Sequence, residues 1–139
     1  MILIDSLYIN NSGGKVLLDY LVEELEKKNL KVFYLFDTRC QNDFKFIPIE
    51  RKIYLKASLF NRCKFYKQNK KRFSKIFCFG NLPPEIKLRK AKVYTYFHQT
   101  LFLNAPSNSS FAFKATLKFK TLFLQFFKKN TNFWFVQSE

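Results

Sequence analysis

Residues 2–8 form a mostly apolar run, Ile-Leu-Ile-Asp-Ser-Leu-Tyr. The turn Ile-Asn-Asn-Ser-Gly-Gly follows, and Lys15 then leads an apolar-periodic segment to Lys28. The order predicts a buried strand, a tight glycine turn and a helix. Such a unit leaves backbone N–H groups and the positive end of a helix dipole at the C-terminal edge of a parallel sheet, where α/β proteins bind ligands. The opening residues therefore constrain both the fold and the place of a site.

The same alternation runs down the chain. Asn29 suits a left-handed helix stop, and residues 31–36 (Lys-Val-Phe-Tyr-Leu-Phe) read as a second strand ending at Asp37. Residues 44–49 alternate apolar and polar up to Pro48 and predict a short edge strand. Residues 51–73 contain no Gly or Pro and place Ile53, Leu55, Leu59, Phe60, Cys63 and Tyr66 near helical spacing, which predicts a basic helix. Residues 75–79 predict a strand that stops at Gly-Asn-Leu-Pro-Pro, whose prolines forbid helix. Residues 92–97 predict another strand, stopping at His98-Gln99. Residues 111–129 predict an amphipathic helix, with Lys114, Lys118, Thr121, Gln125 and Lys128 within about 80° of one another on a helical wheel. Residues 132–136 predict a last strand. Strands separated by helix-length segments imply right-handed crossovers, so the expected fold class is α/β, a Rossmann-like three-layer α/β/α arrangement around a mostly parallel sheet. Residues 1–139 are expected to form a single lobe.

Charge is unevenly spread. Residues 1–50 carry 6 basic and 8 acidic side chains, whereas residues 51–139 carry 19 basic and 2 acidic ones, Glu85 and Glu139. That field attracts polyanions, either nucleic acid or an anionic membrane face. An apolar share of 47% excludes intrinsic disorder. Cys40, Cys63 and Cys78, odd in number and without a C-x-x-C pair, argue against a disulfide framework and for a reducing, cytoplasmic setting. No basic leader precedes an apolar stretch, and no run approaches about 18 uncharged apolar residues, so neither a signal peptide nor a spanning helix is expected.

Several residues are candidates for a site. Gly13, Gly14 and Lys15 suit either a phosphate or sugar contact or a plain tight connection. Asp37 follows the second strand at the distance of a ribose-binding acid, but the turn lacks G-x-G-x-x-G spacing, which counts against a nicotinamide cofactor. His98 is the single histidine, at a strand end, and reads either as a sugar or phosphate contact or as a structural residue. Asn81 and Gln99 offer polar contacts from neighbouring strand ends, Asn81 equally an Asx turn. The basic run around Arg62 to Arg72 reads either as a solvated face or as a phosphate surface. One histidine and scattered cysteines show no metal-ligand spacing, so no metal and no cofactor is expected.

The Asn-Asn-Ser-Gly-Gly-Lys turn, the Phe-Gly-Asn-Leu-Pro-Pro turn, the Tyr-Thr-Tyr-Phe-His-Gln strand end and the closing Phe-Val-Gln-Ser-Glu occur in that order. With them the chain resembles the N-terminal lobe of bacterial glycosyltransferases of the B fold, nearest to the family-4-like retaining enzymes of polysaccharide assembly. The resemblance implies transfer from a nucleotide-sugar donor to a glycan or lipid-linked acceptor. It gives Gly13 and Gly14 the donor diphosphate and His98 the transferred sugar, and it implies a peripheral place on the cytoplasmic membrane. The Glu-x7-Glu motif of the donor lobe has no match, so the expectation is a lobe that is inactive alone and works with a partner chain or a further lobe. The competing reading is a basic nucleic-acid-binding module.

Overall fold

The computed structural model describes residues 1–97 and 111–136. In chain order the elements are β1 (Ile2–Asp5), α1 (Ser12–Lys27), β2 (Val32–Asp37), β3 (Lys52–Leu55), α2 (Leu59–Gln68), β4 (Lys75–Cys78), β5 (Lys92–Phe97), α3 (Phe111–Phe127) and β6 (Phe133–Val136). Short 3-10 turns lie at Thr38–Cys40, Ile49–Arg51 and Lys128–Asn130. The strands form one sheet in the order β3-β2-β1-β4-β5-β6, with every neighbouring pair parallel. This is a Rossmann-like α/β fold, the order being that of doubly wound dinucleotide-binding sheets.

Strand alternation divides the core into two layers. Leu3, Phe33, Leu35, Ile76, Cys78 and Val93 meet Phe65 and Tyr66 of α2 on one face. Ile4, Val32, Tyr34, Phe36 and Phe79 meet Leu18 and Val22 of α1 on the other. β2 lies between two strands and under both layers, and all six of its residues are buried. That explains its continuous apolar sequence. Asn29 takes φ 50° after α1, the left-handed stop expected of it.

Three local expectations are corrected. Residues 44–49 are not a strand. Phe44 and Ile47 are buried as turn residues, Phe44 stacking on Phe36 at 4.2 Å while Phe46 points to solvent, and Lys52 Nζ donates to the Phe44 carbonyl at 2.6 Å. Residues 51–73 are not one helix. Residues 52–55 pair with residues 34–37 of β2 as the sheet edge, and α2 starts only after Ser58, whose Oγ accepts the Asn61 N–H at 3.0 Å. The ladder hydrogen bonds and the serine cap together outweigh the absence of breakers. Finally, β1 stops at Asp5 instead of Tyr8. The Asp5 carboxylate accepts the Leu7 N–H at 3.2 Å and Ile9 N–H closes on the Ser6 carbonyl at 2.9 Å, so the chain turns early and α1 includes Gly13 and Gly14 in its first turn.

On the face that carries α1, the half of the sheet from β4 to β6 presents aromatic side chains: Phe77, Tyr94, Tyr96, Phe133 and Phe135, with Tyr94 and Phe133 stacked at 5.1 Å. Every residue of β6 is exposed, Trp134 at 41% among them.

Candidate functional site

Strand β1 has β2 on one side and β4 on the other, and the chain leaves β1 towards β2 but leaves β4 towards β5. Their C-terminal ends therefore flank a topological switch point, the crevice in which open α/β sheets bind ligands. Three segments converge there. They are the turn after β1, the first turn of α1 and the loop after β4, whose Gly80 lies against Tyr8 such that a Cβ would sit 3.6 Å from the tyrosine Cβ.

The first turn of α1 is open. Asn11 precedes it in extended backbone without a side-chain cap, and the strained residue is Ser12 at φ 56°. Gly13 has negative φ, and a Cβ there would meet nothing within 4 Å, so neither packing nor backbone strain requires glycine at this position. The N–H groups of a first helical turn have no partner within their helix. Lys15 closes that first turn, its N–H bonded to the Asn11 carbonyl at 3.2 Å, and its side chain is occupied. Its Nζ donates to both Asp19 carboxylate oxygens, at 2.6 and 2.8 Å, and lies 3.3 Å from Asp43. Burial pulls its pKa down, but the Asp19 hydrogen bonds outweigh burial and raise it. The lysine ties α1 to the loop over Phe44 and presents no free ammonium to the crevice.

Asn81 is buried with φ 64°, the turn conformation that its residue type tolerates. Asp37 closes β2, but Arg39 holds its carboxylate through Nε at 2.9 Å, a terminal nitrogen at 2.6 Å and the backbone N–H at 3.0 Å. Burial pushes that carboxyl up and the Arg39 hydrogen bonds outweigh it, so the pKa falls. A ribose hydroxyl would have to displace an ion pair, which removes the remaining support for a nicotinamide site. His98 and Gln99 lie outside the described residues. Among the described residues no group of three or more His, Cys, Asp or Glu is placed to hold a metal ion.

What holds the crevice together is a cluster the sequence reading did not assign. Arg62 of α2 is 1% exposed. Its guanidinium donates to Asp5 Oδ2 at 2.7 Å, to Glu85 at 3.0 Å and to the Leu82 and Pro83 carbonyls at 2.8 and 2.9 Å. Tyr66 also donates its hydroxyl to Asp5, and Cys78 Sγ lies 3.6 Å from that hydroxyl. The planar fork joins the end of β1 to the loop after β4 and fixes its carbonyls. Burial pushes Glu85 up against the pull of Arg62, and its Oε2 has no hydrogen-bond partner among the described residues. Burial likewise pushes the Cys78 thiol up to about 12. Arg62 is therefore part neither of a solvated face nor of a phosphate surface. The signal was present in the spacing: Arg62 shares its helical face with Leu59, Phe65 and Tyr66, and an arginine on an apolar face needs buried carboxylates.

No family model matches the chain, and no characterised protein or solved structure matches it.

Away from the crevice, α3 exposes Phe119, Leu122 and Phe126, the last at 78%. These positions share one helical stripe. Lys118, Lys128 and Lys129 are also exposed. No helix among the described residues is long and apolar enough to cross a membrane.

Proposed function

We propose that this chain is the acceptor-side lobe of a B-fold glycosyltransferase, contributing one wall of a cleft in which sugar passes from a nucleotide-sugar donor to a glycan or lipid-linked acceptor. The observation that carries the reading is the crevice between β1 and β4, flanked by the open first turn of α1 and a loop clamped by Arg62. In this reading the first-turn N–H groups at Gly13 and Gly14 stabilise the leaving diphosphate, because preorganised donors cost no reorganisation when negative charge develops. His98 orients the transferred sugar, with Gln99 beside it. Asn81 acts by shaping the loop, and Lys15 by fixing the helix. The second wall belongs to another Rossmann lobe, so the chain alone does not catalyse transfer. Incubating the purified chain with labelled sugar nucleotides and membrane lipid extract tests this. No transfer is expected, and steady turnover would overturn it.

The exposed stripe Phe119-Leu122-Phe126, set among lysines, supports peripheral contact of the lobe with an anionic membrane face. A second reading draws on Phe133 and Phe135, exposed on the same sheet face as Tyr94 and Tyr96, as a stacking surface for single-stranded nucleic acid. Salt-sensitive binding to oligonucleotides without binding to anionic vesicles would favour that second reading.

A further inference from the structure

A second concavity lies at the opposite end of the strands. Asn132 N–H donates to the Val93 carbonyl at 2.8 Å and the Asn132 side-chain oxygen accepts the Val93 N–H at 2.8 Å, so the entries into β5 and β6 are bound side by side. Asn130 Nδ2 donates to the Pro84 carbonyl at 2.8 Å and anchors the same segment to the loop before β5. Between them is a hollow of about 330 Å³, lined by Lys87, Arg89 and Lys129 together with the two asparagines. No carboxylate lines it, and none of its three cations forms an ion pair among the described residues. Glu85, the nearest acid in sequence, is buried and bound to Arg62. Lys87, Arg89 and Lys129 are exposed residues grouped around one hollow, and an anion seated among them is attracted by all three charges. The asparagine geometry adds direction. Asn132, whose side-chain oxygen accepts from Val93, also lines the hollow and carries an amide N–H that a ligand oxygen can accept from.

We propose that this hollow binds a phosphate-bearing ligand, with Arg89 offering its planar fork, Lys87 and Lys129 their ammonium groups and Asn132 an amide N–H. The hollow takes a phosphomonoester or diphosphate, whether free or on a lipid headgroup. It lies at the N-terminal ends of the strands, away from the glycine turn, and so does not depend on the glycosyltransferase reading.

The test uses two probes, inorganic pyrophosphate followed by amide chemical shifts and calorimetry, and sedimentation with phosphatidylcholine vesicles containing phosphatidate. Two double variants are compared, Lys87→Gln with Lys129→Gln and, as a control of equal charge at exposed positions outside the hollow, Lys45→Gln with Lys67→Gln. The first is expected to weaken binding at least about tenfold, the loss of two charge-assisted contacts, and the control by less than about twofold. A selective loss with pyrophosphate identifies a soluble phosphate, and one seen only with vesicles identifies a headgroup; either supports the site. Equal losses in the two variants, or no binding of either probe, would overturn it.

Discussion

Replacing Arg62 by methionine keeps the length and apolar stem of the side chain and deletes the guanidinium. The wild-type group makes four contacts of 2.7 to 3.0 Å, two to carboxylates and two to backbone carbonyls. The Arg62 and Asp5 side chains are 2% and 1% exposed, so solvent neither screens the pair nor replaces it. Removing one partner of such a pair strands buried carboxylates and costs about 3–5 kcal/mol. Against a total of roughly 5–15 kcal/mol, the variant stays only marginally folded. In thermal unfolding this corresponds to a fall in Tm on the order of 10 °C. The sign of the pH effect follows from burial. A carboxyl whose folded pKa lies above its unfolded value supports folding below the unfolded value, and that support is lost as pH rises through the folded one. Glu85 is already raised with Arg62 present, so without the arginine the deficit should be smallest near pH 4 and grow towards pH 7. Urea titrations at several pH values measure it, with Lys67→Met as the exposed control. A loss below about 1 kcal/mol, or one independent of pH, would refute the assignment of Arg62 as the clamp between β1 and the loop after β4.

Other outcomes follow from the same geometry. Gly13→Ala should stabilise α1 by about 0.5 kcal/mol in urea unfolding, since the added methyl meets nothing, while weakening binding of nucleotide sugars; a destabilised variant would contradict the open first turn. Glu85→Gln should remove the loss of stability that the wild type shows as pH rises above the ordinary carboxylate range, and an unchanged pH profile would count against burial as the cause. For Asp37→Asn the sign is reversed: its lowered pKa supplies stability above the unfolded value that is lost on acidification, so the variant should lose about 1 kcal/mol at pH 7 and show a flatter acid limb. Leu122→Ser with Phe126→Ser should leave unfolding within about 0.5 kcal/mol yet reduce sedimentation with anionic vesicles; unchanged sedimentation would remove α3 from the membrane reading.

Strand β2, buried on both faces, was legible because such parallel strands read as continuous apolar runs, and β1, β4 and β5 were legible as short β-rich runs ended by turn residues. Strand β3 was not legible. Lys-Ile-Tyr-Leu sits in a basic, breaker-free stretch, and only its pairing with residues 34–37 and the Ser58 cap reveal its state. Residues 44–49 alternate as an edge strand does, yet Phe44 and Ile47 reach the core through turns because β3 already occupies the edge beside β2. Within the crevice, the glycine turn and the loop after β4 were legible from backbone-special residues. Lys15 and Asp37 were legible as positions but not as occupied groups: Asp43 reaches Lys15 only through tertiary folding and Arg39 reaches Asp37 through a local turn, whereas Asp19 stands at the i,i+4 position of α1. Arg62 was hidden by its neighbours. Amid nine basic residues in positions 51–73, net charge obscured the one arginine whose helical spacing places it in the core.

In the proposed function the crevice between β1 and β4 is one wall of a nucleotide-sugar site. Amide chemical-shift mapping of the whole chain during titration with nucleoside-diphosphate sugars tests it most directly. Saturable shifts are expected at Gly13 and Gly14 and across residues 80–85, reduced in Gly13→Ala. Shifts confined to the opposite end of the strands, or none at all, would contradict it.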